Sequence, residues 1–199
     1  MRMHLYKYIT STTAIAAILA CCCLAACKKS SNTTPSGKKV KGGYYSIQQY
    51  ARDQFKMNKG IPYGFNKIVT HNGKKDTVVQ NIYTVDWPFI FSKFFETDIS
   101  DKKFLGHYNF SMFDDSATQT RNYFYEAKED YLPTRKLMIM ADLSTQMVKS
   151  IYIEYEKKSL LKFESRKLFY IPKKVIQIQE FNKALFRNPE ETMTEYDFM

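Results

Sequence analysis

Cysteine does not occur after position 27, no carboxylate precedes Asp53, and histidine appears only three times in 199 residues. The first absence removes disulfides and thiolate metal sites from everything downstream. After His4 the chain has only His71 and His107, with no HExxH or comparable partner, so the three or four ligands of a zinc site are not assembled. Seven glycines leave little material for phosphate-cradling loops, and no GxSxG elbow, P-loop or GxGxxG is present. Carboxylates do occur in close pairs, Asp98 with Asp101 and Asp114 with Asp115. A glycosidase needs two at ~5 to 9.5 Å, but the first pair reads as a helix cap or a turn and Asp114-Asp115-Ser116 as a hairpin tip. His71 beside a tight turn reads as a solvated residue, and His107 as a half-buried, hydrogen-bonded strand residue. The expectation is a protein that is not an enzyme, with no cofactor and no metal.

What is present begins with an export signal. Met1 to Tyr8 carries Arg2 and Lys7, the stretch from Ile9 to Ala26 is uncharged, and Ala14-Ile15-Ala16-Ala17-Ile18-Leu19-Ala20 forms a compact apolar core. The run ends in Leu24-Ala25-Ala26-Cys27, which resembles the lipobox of bacterial lipoproteins. The resemblance implies cleavage between Ala26 and Cys27 and acylation (palmitate or a similar chain) of the Cys27 thiol. Two alternatives are an uncleaved spanning anchor, since the run approaches the ~20 residues a bilayer needs, and a cut before Cys21. Thr10 to Thr13 dilute the first, and Leu19 suits the position two before a cut less well than Ala25 does. The cluster Cys21, Cys22, Cys23 would leave with the signal peptide, so the mature chain keeps one cysteine. A diacyl or triacyl group holds a protein at the membrane without spanning it. Among such lipoproteins an aspartate after the cysteine marks inner-membrane retention. Lys28 and Lys29 stand there instead, which implies a cell-envelope protein on the outer membrane, facing the periplasm.

The formal charge of +10 has to be located before it is interpreted. Arg2 and Lys7 belong to the signal, and five lysines fall between Lys28 and Gly43, leaving residues 44–199 with 23 basic against 20 acidic residues. Residues 27–43, rich in Lys, Ser, Thr and Gly, read as a flexible lipidated tether whose lysines lie beside anionic headgroups. The basic excess is thus in the tether and not on a fold face, and no nucleic-acid partner is expected. The organisation expected is residues 1–26 as signal peptide, 27–43 as tether and 44–199 as a single domain.

That domain holds 13 tyrosines, 15 phenylalanines and one tryptophan, an enrichment that points to strands. Ser46 with Gln49 forms a capping-box pair ahead of Ile47, Tyr50, Ala51 and Phe55 at helical spacing, closed by Gly60 and Pro62. Asn72-Gly73 between Ile68–His71 and Asp76–Val79 predicts a hairpin, with Lys74-Lys75 able to lengthen its loop. Asp86 caps a second short helix whose Trp87, Ile90, Phe91, Phe94 and Phe95 share one face. Seven strands are predicted after it, at 105–112, 120–127, 136–142, 147–156, 160–164, 168–171 and 175–181, with 190–199 left open as a last one. In the fourth, Ile151, Ile153 and Tyr155 alternate with Tyr152, Glu154 and Glu156, as in a sheet with one wet face. Short polar connections pair neighbours antiparallel. The expected fold is α+β, an antiparallel β-meander of about seven to nine strands forming a curved sheet or half-barrel, with one or two short helices.

Asp86-Trp87, Asp98-Ile99, Leu105-Gly106 and Tyr108, with Ile151-Tyr152-Ile153 and Leu168-Phe169-Tyr170, resemble a family of small, uncharacterised Gram-negative envelope lipoproteins. Its recurring segment is roughly Asp-Trp, then Asp-Ile-Asn-Lys-Pro, then Gly-x-Tyr; Ser100, Asp101 and Lys102 depart from the middle part. The family implies no activity. Two classes follow: a non-catalytic structural or interaction module held at the membrane by Cys27, or a carrier that takes a lipid or glycan into an aromatic-lined half-barrel. An envelope protein, a lipid or a glycan is the partner to expect. A carrier should show a large apolar pocket open to solvent, and a module a closed core with an exposed aromatic strip.

Overall fold

The computed structural model describes residues 43–199 with the exception of Lys59. The expected signal peptide, the expected cleavage and lipidation at Ala26 and Cys27, and the expected tether up to Gly42 therefore lie outside the described residues. Helix α1 (Ile47–Asn58) starts where the cap predicts, and the Gln49 N–H donates to the Ser46 hydroxyl at 3.1 Å. Gln49 does not complete the box, because its carboxamide donates instead to Asp53 at 2.9 Å. The cap is finished from 52 residues away: one Asp98 oxygen accepts the Ser46 hydroxyl at 2.7 Å and the Gln48 N–H at 2.8 Å.

Strands β1 (Gly64–His71) and β2 (Lys74–Asn81) form the expected hairpin. His71 pairs with Lys74, so Asn72-Gly73 is the whole loop and both lysines belong to the strand. The φ values of 46° at Asn72 and 81° at Gly73 are those a type I′ turn requires, which is why this dipeptide is found there. Helix α2 (Trp87–Phe95) is capped by Asp86, which accepts the Phe89 N–H at 3.0 Å. Ile90 and Phe94 are buried, while Phe91 stacks between Trp87 and Phe95 at centroid distances of 5.8 Å each.

A 3₁₀ turn (Lys102–Phe104) leads into seven more strands: β3 (Tyr108–Asp115), β4 (Thr120–Ala127), β5 (Thr134–Asp142), β6 (Val148–Lys158), β7 (Lys162–Ile171), β8 (Val175–Ala184) and β9 (Glu190–Phe198). Residues 160–164 and 168–171 are not two strands. Residues 162–164 and 168–171 belong to one strand, β7, which runs unbroken through Ser165-Arg166-Lys167, and Leu160 and Leu161 stand outside it in a turn. The segment 190–198 is the last strand.

All nine strands join one antiparallel sheet in the order β2-β1-β9-β8-β7-β6-β5-β4-β3. The protein is an α+β meander in which the first hairpin closes onto the last strand, and the passage from edge strand β2 to edge strand β3 runs through α2. The two faces differ. Leu137, Ile153, Leu168 and Ile178 stand opposite one another on β5 to β8 and are buried. With Ile151, Tyr170, Ile176 and Tyr196 they form the core, on which α1 and α2 lay Ile47, Ile90 and Phe94.

Candidate functional site

The carboxylate pairs are absorbed by local structure. Asp98 caps α1 and also accepts the Ser100 N–H at 2.7 Å, and Asp101 caps the 3₁₀ turn through the Lys103 N–H at 3.0 Å. Asp114 lies within β3 and not at a hairpin tip, where the Arg121 guanidinium grips both its oxygens at 2.7 and 2.9 Å. That hydrogen-bonded cation holds the Asp114 carboxyl below the usual carboxylate range. Asp115, next along the strand and so on the other face, closes the β3–β4 turn through Thr118 and Ala117 and is lowered by them. Neither pair aims two carboxyls into a shared space.

The histidines are separated as well. His71 Nδ1 is 2.9 Å from the Thr192 hydroxyl on β9. His107 is not in a strand: Gly106, with φ 88°, turns the chain just before β3. His107 is half-buried, as expected, with Nδ1 3.3 Å from Glu129 and 3.4 Å from the Tyr131 hydroxyl. Among the described residues no group of three or more His, Cys, Asp or Glu could hold a metal ion.

Between α1, α2 and the sheet the aromatic lining leaves a cavity of about 50 Å³, bounded by Ile47, Tyr50, Phe55, Trp87, Phe94 and Tyr170 among others. Small-molecule sites run from ~300 Å³ upward, so this space takes a few waters and no acyl chain. A shallow surface cleft of about 330 Å³ lies between the β4–β5 loop and the end of β6. It is lined by Asp130, Tyr131, Pro133, Tyr155, Glu156, Lys157 and Lys158, a mainly charged set in which only Tyr155 is buried.

Sequence reasoning missed an ion cluster built around one buried arginine beside the core. Arg166, 2 % exposed, meets Glu96 at 2.9 Å, Glu164 at 2.6 Å and Glu180 at 3.3 Å, with its guanidinium 4.9 Å over the Tyr155 ring. Lys93 of α2 reaches Glu180 at 2.6 Å. The carboxylates come from α2's end, β7 and β8, so the cluster pins the helix to the sheet; Lys162 also reaches Glu164 at 3.4 Å, which brings the cluster to three cations against three carboxylates.

The remaining concentration of unused chemistry is the sheet's other face. Phe124, Met138, Tyr152 and Phe169 stand directly opposite one another on β4, β5, β6 and β7. All four are only partly buried, and the row is about 14 Å long at the usual strand spacing. Phe113, exposed on β3, stacks on Phe124 at 5.5 Å with 16° between planes. The next row on the same face is Glu126, Lys136, Glu154 and Lys167, alternating in sign across the same strands. The Tyr152 hydroxyl donates to Glu154 at 2.8 Å, and burial together with that carboxylate pushes it up to about 12. An apolar row bordered by alternating charge can bind an amphipathic surface but offers no nucleophile or paired acid and base.

Protein-family models, curated proteins and solved structures were compared with the chain, and none matches it. The likeness to small envelope lipoproteins therefore rests on the quoted residues alone.

Proposed function

We propose that the chain is a lipid-anchored lipoprotein of the bacterial envelope, held through an acyl group on Cys27 at the periplasmic face of the outer membrane, whose folded domain is a non-catalytic interaction module. The observation that carries the module reading is the Phe124-Met138-Tyr152-Phe169 row, an aromatic and methionine strip on a sheet face that no helix among the described residues covers. Contiguous exposed apolar patches mark binding surfaces, and the exposed Phe113 extends the row at its β3 end. The small volume of the apolar space between α1, α2 and the sheet, about 50 Å³, favours this reading over a carrier. The anchor reading is supported by Leu24-Ala25-Ala26-Cys27 behind an uncharged apolar run.

Two measurements test it. Labelled palmitate should enter the full chain and fail to enter the Cys27→Ser variant; an unmodified Cys27 would sink the anchor. A photo-crosslinking residue at position 152 should give one discrete adduct in the envelope that disappears when Phe124 and Phe169 become serine. An adduct unchanged by those substitutions, or lipid retained in the purified protein by native mass spectrometry, would overturn the module.

A further inference from the structure

Two neighbouring hairpin ends carry residues that folding does not ask for. The β6–β7 turn is closed by a 2.8 Å bond from the Ser159 N–H to the Lys162 carbonyl, which puts Leu160 and Leu161 in its two central positions. The β8–β9 turn is closed by a 3.2 Å bond from the Arg187 N–H to the Ala184 carbonyl, which puts Leu185 and Phe186 in the equivalent places. The tips are joined, because the Leu185 N–H donates to the Leu161 carbonyl at 2.9 Å. Turn centres are ordinarily Gly, Pro, Asn or Asp, which supply the required dihedrals or local hydrogen bonds. Here they hold four large apolar side chains, all exposed, Leu160 at 97 % and Phe186 at 96 %. Phe186 also has φ 65°, a left-handed conformation that a bulky side chain rarely adopts. Lost turn propensity, bare apolar surface and backbone strain all fall on the same residues, and none of them stabilises the fold.

Their surroundings indicate a partner. Residues 157–163 and 181–189 contain five basic residues, Lys157, Lys158, Lys162, Lys183 and Arg187, and no acidic one. All five are exposed. Two of the five have a carboxylate at the edge of the patch: Glu164 is shared between Arg166 at 2.6 Å and Lys162 at 3.4 Å, and Lys158 lies 3.6 Å from Glu156, while Lys157, Lys183 and Arg187 stay directed to solvent. At the start of β9 the exposed Glu190 borders the patch, and Glu191 next to it accepts from the Gln179 side chain at 2.8 Å. Behind the tips, Phe163 and Phe181 meet at 6.1 Å between ring centroids, extending the apolar surface. The chain also enters the described domain at this end of the strands: the Tyr44 hydroxyl accepts the Gly106 N–H at 2.9 Å, just before β3 begins.

From this geometry we propose that the two tips form a membrane-docking prow, inserting Leu160, Leu161, Leu185 and Phe186 into the interfacial layer of an anionic bilayer while the five basic side chains engage its phosphates. Apolar tips collared by cations match that interface layer by layer, with hydrocarbon inside and negative charge just outside it. A soluble protein partner would supply neither the depth nor the uniform negative collar. The tips add to the acyl anchor proposed above without resting on it: the anchor would hold the domain near a membrane, and the tips fix which end faces it.

The test uses the full chain reconstituted in vesicles of phosphatidylcholine with or without phosphatidylglycerol. Tryptophan is placed at a tip, Leu160→Trp or Phe186→Trp, or in the β3–β4 turn at the opposite strand end, Ala117→Trp, and quenched with bromine-labelled lipid. The native Trp87 contributes equally to all three. Tip probes should be quenched several-fold more than the Ala117→Trp probe, and the difference should shrink without phosphatidylglycerol or at high salt. Equal quenching at all three positions would overturn the proposal. So would tip fluorescence already shifted to the blue without vesicles in a concentration-dependent dimer, which would make a second copy the occupant. The mass of the reconstituted chain scores acylation separately. Unquenched tips on an acylated chain overturn the tips alone, and quenched tips on an unacylated chain overturn the anchor alone.

Discussion

Two buried polar side chains show how differently single residues are accommodated. Tyr196 sits in the core with the Lys67 ammonium 5.7 Å from its ring centroid, and its hydroxyl has no hydrogen-bonding partner among the described residues. A hydroxyl buried in that way costs roughly 1 to 3 kcal/mol, so Tyr196→Phe should be at least as stable as the parent at pH 7 by urea denaturation. Burial raises Tyr196, Tyr108 and Tyr170 to about 12 from an ordinary 10.0. Because the folded values lie above the unfolded one, their contribution is complete below pH ~10 and is lost as pH climbs through about 12. Stability should therefore be flat with pH up to about 10 and then fall, less steeply in Tyr196→Phe; an equal fall in both proteins would show that Tyr196 ionises freely. Arg166 differs in that three carboxylates lie within 3.3 Å of its guanidinium, although its Nε has no hydrogen-bonding partner among the described residues. Arg166→Met leaves Glu180 with Lys93 and Glu164 with Lys162 but removes the buried cation that Glu96, Glu164 and Glu180 share, and should cost about 3 kcal/mol in the same measurement. A loss below about 1 kcal/mol would mean that water already screens the cluster.

At the scale of elements, local chemistry was legible in the sequence and long-range chemistry was not. Asn72-Gly73 and Asp86 were readable because a type I′ turn and an N-cap are decided within four residues. Ser46 was readable as a cap, but its completion by Asp98 was not, because nothing near Ser46 encodes a partner on another segment. Strand β7 was split in two because Ser165-Arg166-Lys167 looks like a break until three glutamates surround the arginine. Leu160 and Leu161 read as the start of a strand because an apolar pair is a poor turn, and the structure uses them as one all the same. The mismatch predicts that Phe186→Gly, which removes side-chain strain at φ 65°, keeps thermal stability or raises it by up to about 1 kcal/mol. A loss greater than about 1 kcal/mol would show that Phe186 packs for the fold, and the β8–β9 turn would then need no outside partner to explain it.

For the molecule as a whole, one sheet with one covered face sets the distribution of stability and of binding. The aromatic load that announced strands could not say which rings would be covered, since Ile151-Tyr152-Ile153 and Leu168-Phe169-Tyr170 are apolar on both faces of the sheet. Helices α1 and α2 decide it by covering the side of Leu168 and Tyr170 and leaving that of Tyr152 and Phe169. Leu168 is completely buried, while its neighbour Phe169 is only partly so. Leu168→Ala should then cost about 3 kcal/mol through lost burial and a residual cavity. Phe169→Ser removes more atoms but should cost only about 1 kcal/mol, in the range of an exposed strand position. Chemical denaturation of the two single variants decides the matter. If the ranking holds, Phe124→Ser with Phe169→Ser yields a folded protein suited to testing partner loss. If Phe169→Ser proves as damaging as Leu168→Ala, the outer row is holding the sheet together and its exposure says nothing about a partner.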